Sequence, residues 1–147
     1  MPSHEMHEHT IIAMQPNVTS NHPIHILLVE DEFLISEWVA EALTEQGFAV
    51  ETAANATDAL RHLVSGLVDV LFTDVNLPGA MDGAALARRA RELRPDLPVV
   101  YASARMSMAD PGTRVPDSIF VPKPYAPALV GRLLAHAVKS AEQRVPA

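Results

Sequence analysis

The sequence predicts an α/β domain built on a parallel sheet with helices on both faces. Three observations predict it. Short apolar runs rich in β-branched residues recur along the chain, segments of helical periodicity follow them, and the runs stop abruptly at polar residues. Parallel strands need crossovers, and both sheet faces then need cover. The chain has 147 residues, which fits one domain with its own core.

Residues 1–23 are polar, include Pro16 and Pro23, and read as a flexible N-terminal extension. His4, His7 and His9 lie there without packed neighbours to orient them, so adventitious metal binding is the most expected of them. The first strand follows in Ile24, Ile26, Leu27, Leu28 and Val29 and stops at Glu30, Asp31 and Glu32. Residues 33–46 change to a helical period, with Leu34, Trp38 and Ala42 in one row beside Ile35, Val39 and Leu43. Gly47 then takes the left-handed terminal position. A second strand is expected over 48–52. A helix over 56–64 turns Ala59, Leu60 and Leu63 inward and ends at Ser65-Gly66.

The third strand, 68–73, is apolar up to Asp74. Pro78-Gly79 breaks the chain after it, and Asp82 is placed to cap a helix over 83–93. The fourth strand, 98–102, ends at Ser103. Residues 105–116 offer only Met106, Met108 and Val115 as large apolar residues and contain Pro111, Gly112 and Pro116, so any helix there is short. The fifth strand spans 119–121 and Pro122-Lys123-Pro124 forms a loop. A last helix runs from 126 to about 142 with Pro127 in its first turn and Leu129, Leu133, Leu134, Ala137 and Val138 on its apolar side. The folded domain is therefore 24–142, with 143–147 as a tail.

A net charge of −7 is a poor match for a phosphate backbone, so direct nucleic-acid binding is not expected. Arg88, Arg89, Arg91 and Arg94 cluster but are interrupted by Glu92 and Asp96, as on a solvated helix face. The absence of cysteine excludes disulfides and thiol chemistry. No apolar run is long enough to cross a bilayer and the N-terminus lacks a signal-peptide pattern, so a cytoplasmic setting is expected.

Ligands of parallel α/β sheets bind outside the carboxyl ends of the strands. The polar groups there are Glu30, Asp31, Asp74, Ser103 and Lys123. Carboxylates gathered in one place repel, and a hard divalent cation removes that cost. Mg2+ suits oxygen ligands, with Mn2+ able to substitute. Asp31 and Asp74 are the leading ligands, Glu30 binds directly or through water, and the Asn76 carbonyl is a further ligand. Asp74 is also the candidate nucleophile towards a phosphoryl group, with Lys123 and the Ser103 hydroxyl contacting its oxygens. No GxxxxGK loop is present, so ATP is not the expected direct donor. Phe120, three residues before Lys123, reads equally as core filling or as a ring that swings inward when Ser103 moves.

These residues fall in four motifs, ILLVEDE, LFTDVNLPGAMDG, PVVYASA and FVPKPY, and the chain from Ile24 to about Val138 resembles the receiver domain of two-component response regulators. The resemblance implies a flavodoxin-like sheet in the order 2-1-3-4-5. It assigns Glu30 and Asp31 to the family's acidic pair, Asp74 to its phosphorylated aspartate, Asn76 to the metal-binding carbonyl, Ser103 and Phe120 to its switch pair and Lys123 to its lysine. It further implies a bacterial phosphorelay partner, either a sensor histidine kinase or a histidine phosphotransfer protein. Output is expected through the family's fourth helix, fifth strand and fifth helix, with the protein a monomer or a phosphorylation-linked homodimer. The resemblance also implies that the protein assists loss of its own phosphoryl group, with Asn76 at the position that tunes it in the family.

Two departures stand out. The loop after Asp74 is one residue longer than the common form, and 105–116 leaves the family's fourth helix short or irregular. A stand-alone receiver, with no DNA-binding or catalytic effector after Ala147, is expected to signal to an unidentified protein partner. The alternatives are a receiver-like interaction module that is never phosphorylated and a flavodoxin-like cofactor binder.

Overall fold

The computed structural model describes residues 22–144; residues 1–21, with His4, His7 and His9, and 145–147 lie outside the described residues. The apolar runs form the strands β1 (His25–Val29), β2 (Ala49–Ala53), β3 (Val70–Asp74), β4 (Val99–Ser103) and β5 (Ile119–Pro122). They make one five-stranded sheet in the order β2-β1-β3-β4-β5. Every neighbouring pair is parallel. Register brings the strands to a common rim: Val29 lies opposite Thr73, Asp74 opposite Ala102 and Ser103 opposite Pro122.

The helices are α1 (Phe33–Glu45), α2 (Ala56–Ser65), α3 (Gly83–Leu93) and α4 (Pro127–Arg144). Gly47 adopts the left-handed conformation at φ 103°, as its place after α1 requires. Asn55 and Asp82 cap α2 and α3 by accepting the amides of Asp58 and Ala85. Period-two alternation divides the core. Leu27, Val29, Leu71, Val99 and Tyr101 pack under α2 and α3 with Leu63 and Leu86. Ile26, Leu28, Val70, Phe72, Val100 and Ala102 pack under α1 and α4 with Val39, Leu43, Val130 and Leu134. The central strands β3 and β4 are buried throughout, as continuous apolar runs require.

Of the two apolar rows on α1, only the one through Val39 and Leu43 packs. Phe33, Leu34 and Trp38 stay exposed, because adjacent rows lie about 100° apart and only one faces the sheet. The arginine cluster divides in a similar way. Arg89 pairs with Glu92 in solvent, as expected of a solvated face. Arg91 instead donates from Nε to the Leu97 carbonyl at 2.6 Å, and Arg94 donates to the Val68 carbonyl. These two side chains tie α3 to the ends of flanking loops.

Between β4 and β5 the chain forms two 3-10 turns, Met106–Ala109 and Pro111–Thr113, where the resemblance implies a fourth helix. Pro111 and Pro116 supply no amide donors, and side chains add to the backbone bonds that close each turn. Asp110 accepts the Gly112 amide at 3.0 Å, and the Thr113 hydroxyl donates to the carbonyls of Ser107 and Asp110 at 3.1 and 2.8 Å.

Gly83 begins α3 directly against the end of β3, donating its amide to the Val75 carbonyl at 2.7 Å. A Cβ there would overlap the Asp74 carbonyl oxygen and the Val75 backbone, which have no freedom to yield. Gly83→Ala is therefore expected to destabilise the domain by about 1–3 kcal/mol in urea unfolding. Unchanged stability would show that α3 can move away from Asp74 at little cost.

Candidate functional site

Each polar residue at the rim is placed by backbone bonding that continues beyond the strands. The Glu30 amide donates to the Ala53 carbonyl at 3.0 Å, extending the β1–β2 pairing by one residue. Asp74 ends β3, its carbonyl accepting the Thr73 hydroxyl at 2.8 Å and its Oδ1 accepting the Asn76 amide at 3.3 Å. The Lys123 amide donates to the Ser103 carbonyl at 3.0 Å, and the Lys123-Pro124 peptide is cis. The side chains of Glu30 and Asp74 are buried while Asp31 is exposed.

The fold brings the carboxylates of Glu30, Asp31 and Asp74 together, with an oxygen from each within 4.8 Å of the others. Lys123 completes the cluster, its Nζ 3.0 Å from Asp74 Oδ2 and 3.5 Å from Glu30 Oε1. Burial pushes the Glu30 carboxyl above its ordinary range. The Glu32 amide, 3.1 Å from Oε2, and the Lys123 charge pull it back only in part. Burial alone would lower the Lys123 ammonium, but the hydrogen bond and charge of Asp74, with the charge of Glu30, outweigh it and raise it. The donor set is all oxygen, anionic and partly open to water through Asp31. It therefore fits a hard divalent cation that retains some of its waters.

The remaining expected residues have other partners. The Ser103 hydroxyl is buried and accepts the Arg105 amide at 2.9 Å. Asn76 is exposed and touches Asp74 through its amide. Phe120 is half-buried against the core under α2 and α3 and pairs in register with Tyr101. Sequence reasoning passed over Tyr125, whose ring meets Phe72 edge-on with centroids 5.6 Å apart. Burial, with the nearby charges of Glu30 and Asp74, raises its hydroxyl pKa. The available signal was an aromatic residue two positions after Lys123 in FVPKPY.

Lys123→Met would leave Glu30 and Asp74 facing each other without a cation. A loss of about 1–3 kcal/mol is expected in urea unfolding at pH 7. Glu30 binds its proton more tightly folded than unfolded. Its favourable contribution is present below the ordinary carboxylate value and lost as pH rises through the raised one. Removing Lys123 strengthens that trend, so the gap between wild type and variant should narrow as pH falls towards about 4. Equal losses at the two pH values would mean that the contact is electrostatically idle.

A family model described as "Response regulator receiver domain" matches residues 26–133. The transcriptional regulatory protein TctD of Salmonella typhimurium is 34% identical over 104 residues, covering 69% of this chain and 46% of TctD. The response regulator MprA of Mycolicibacterium vanbaalenii is 31% identical over 106 residues, covering 71% of this chain and 46% of MprA. The chain thus spans about half the length of these curated relatives. A response regulator receiver protein from Sinorhizobium medicae superposes with a TM-score of 0.76 at 29% identity, covering 83% of this chain and 99% of that one. The response regulator TrrA of Thermotoga maritima in complex with Mg(2+)-BeF superposes with a TM-score of 0.68 at 26% identity, covering 78% and 98%. With the sheet order, the rim of acids and the matched span in agreement, this chain belongs to the response regulator receiver domain family.

Proposed function

We propose that the chain is a phosphoacceptor that takes a phosphoryl group from a phosphohistidine onto Asp74 and signals by a change of shape to a protein partner. The observation that carries this reading is the convergence of three carboxylates within 4.8 Å beside one ammonium, with Asp74 the carboxylate nearest to it at 3.0 Å. A structural ion pair needs one acid; Lys123 pairs with two of the three, and the negative charge left over suits a divalent cation, which would also offset the charge of an incoming phosphoryl group.

Asp31, Asp74 and Glu30 would hold Mg2+, or Mn2+ in its place, with the Asn76 carbonyl as a further ligand. When bound, the ion offsets the carboxylate charge and aligns a phosphoryl oxygen. An Asp74 oxygen attacks phosphorus and the bond from phosphorus to the donor's imidazole nitrogen breaks, returning that electron pair to the ring. Lys123 leaves Asp74 Oδ2 for a phosphoryl oxygen, and the Ser103 hydroxyl turns away from the Arg105 amide, from which it accepts, to donate its O–H to another. Phe120 then turns into the space that Ser103 vacates. Hydrolysis of the acyl phosphate closes the cycle, with exposed Asn76 setting the approach of water. The chain thus assists its own phosphorylation and dephosphorylation without being an enzyme towards a separate substrate.

The donor is a sensor histidine kinase or a histidine phosphotransfer protein, in keeping with a bacterial, cytoplasmic two-component system. No helix among the described residues is long and apolar enough to cross a membrane. The net charge of −7 favours protein partners over nucleic acid.

Incubation with acetyl phosphate and Mg2+, followed by intact-mass measurement, is expected to show one phosphoryl addition. Asp74→Asn and chelation of the metal should each abolish it, and Mn2+ should restore it after chelation. An unmodified wild-type protein would favour a docking module that is never phosphorylated.

A further inference from the structure

Tyr101 lies within β4 with no exposed surface, and its hydroxyl accepts the Val115 amide at 3.1 Å. Two residues along the same strand, Ser103 accepts the Arg105 amide at 2.9 Å. Residues two apart on a strand share a face, so both hydroxyls leave the sheet on one side. The segment between Arg105 and Val115, where the resemblance implies a fourth helix, is therefore tied to one strand at both ends by side-chain hydroxyls.

The segment forms two short 3-10 turns rather than one continuous helix. Each turn closes on its own backbone bonds, Met108 to Arg105 and Asp110 to Ser107 in the first and Thr113 to Asp110 and Arg114 to Pro111 in the second, and the side chains of Asp110 and Thr113 link the two. Met108 and Val115 are its buried apolar anchors. The neighbouring Arg114 has a buried Nε with no hydrogen-bond partner, so the present seating leaves one donor unsatisfied.

The two ties differ in one respect. Ser103 ends its strand at the rim, two register positions from Phe120's partner Tyr101, whereas Tyr101 is enclosed in the core under α2 and α3. A phenylalanine would fill much the same space as Tyr101, so the hydroxyl's particular contribution is to fix where Val115 sits.

We infer that Tyr101 is a positioning residue that makes segment 105–115 pivot about Val115 when Ser103 releases Arg105, rather than detach as a whole. The trigger rests on the phosphoacceptor reading; the tie itself does not. The moving surface is then the part near Arg105 and the first 3-10 turn, and a partner that reads the signal meets a hinged flap.

Amide exchange followed by NMR, with and without beryllium fluoride and Mg2+ as the probe, tests this. In the free protein, Tyr101→Phe should raise Val115 amide exchange about tenfold while leaving the Arg105 amide unchanged. Ser103→Ala should do the reverse. Unchanged Val115 exchange in Tyr101→Phe overturns the tie without any reference to phosphorylation. With the probe bound to wild type, the Arg105 amide should lose protection and the Val115 amide keep it, whereas in Tyr101→Phe both should lose it. If the Asp74 and Asn76 resonances shift but Val115 loses protection equally in both proteins, the pivot is wrong while the phosphoacceptor reading stands. If those resonances do not respond to the probe, that reading fails and the trigger with it.

Discussion

The Lys123 ammonium lies within 3.5 Å of two buried carboxylates, Glu30 and Asp74, and most of the architecture serves to hold that contact at the edge of the sheet. The groups come from positions 93 and 49 residues apart in the chain. Only a topology that ends β1, β3 and β5 at one rim delivers them to one place. A parallel sheet does this because every strand runs in the same direction and each crossover returns the chain to the opposite edge. The exposed Asp31 carboxylate adds charge that a single lysine does not neutralise.

Such a cluster is a poor source of stability. Burial disfavours both the Glu30 carboxylate and the Lys123 ammonium; the two acids outweigh that cost for Lys123, but for Glu30 the Glu32 amide and the Lys123 charge offset it only in part. Stability comes from elsewhere. The two apolar layers on opposite faces of β1, β3 and β4 bury Leu27, Leu71 and Val99 on one side and Ile26, Phe72 and Val100 on the other. The division leaves the rim free to carry unfavourable electrostatics. Gly83 joins the two regions, since α3 approaches the Asp74 backbone closely only where no Cβ intervenes.

β4 has a double role. Its Val100 and Ala102 side chains fill the core under α1 and α4, while Tyr101 and Ser103 on the other face hold the backbone of the segment that follows. One strand thus belongs both to the sheet and to the anchoring of the irregular stretch between β4 and β5. With proline at 111 and 116, that stretch does not form a regular helix, and its short turns are joined to β4 through Tyr101 and Ser103.

Much of this was legible in the residues alone, where the physics is local. Strand positions followed from apolar runs, one cap from Asp82, the turn from Gly47, and the broken segment from its prolines, because each reflects backbone preferences over a few residues. The rim acids were legible too, since a buried strand of a parallel sheet must become polar where it leaves the core. Periodicity did not decide which row of α1 faces inward, that Arg91 and Arg94 bond distant carbonyls, that Ser103 holds Arg105, or that Tyr101 reaches Val115. These pairings depend on how neighbouring elements pack and on the path of the chain between them. Composition and spacing determine which groups arrive at the rim and the core, and the tertiary structure alone decides which of them touch.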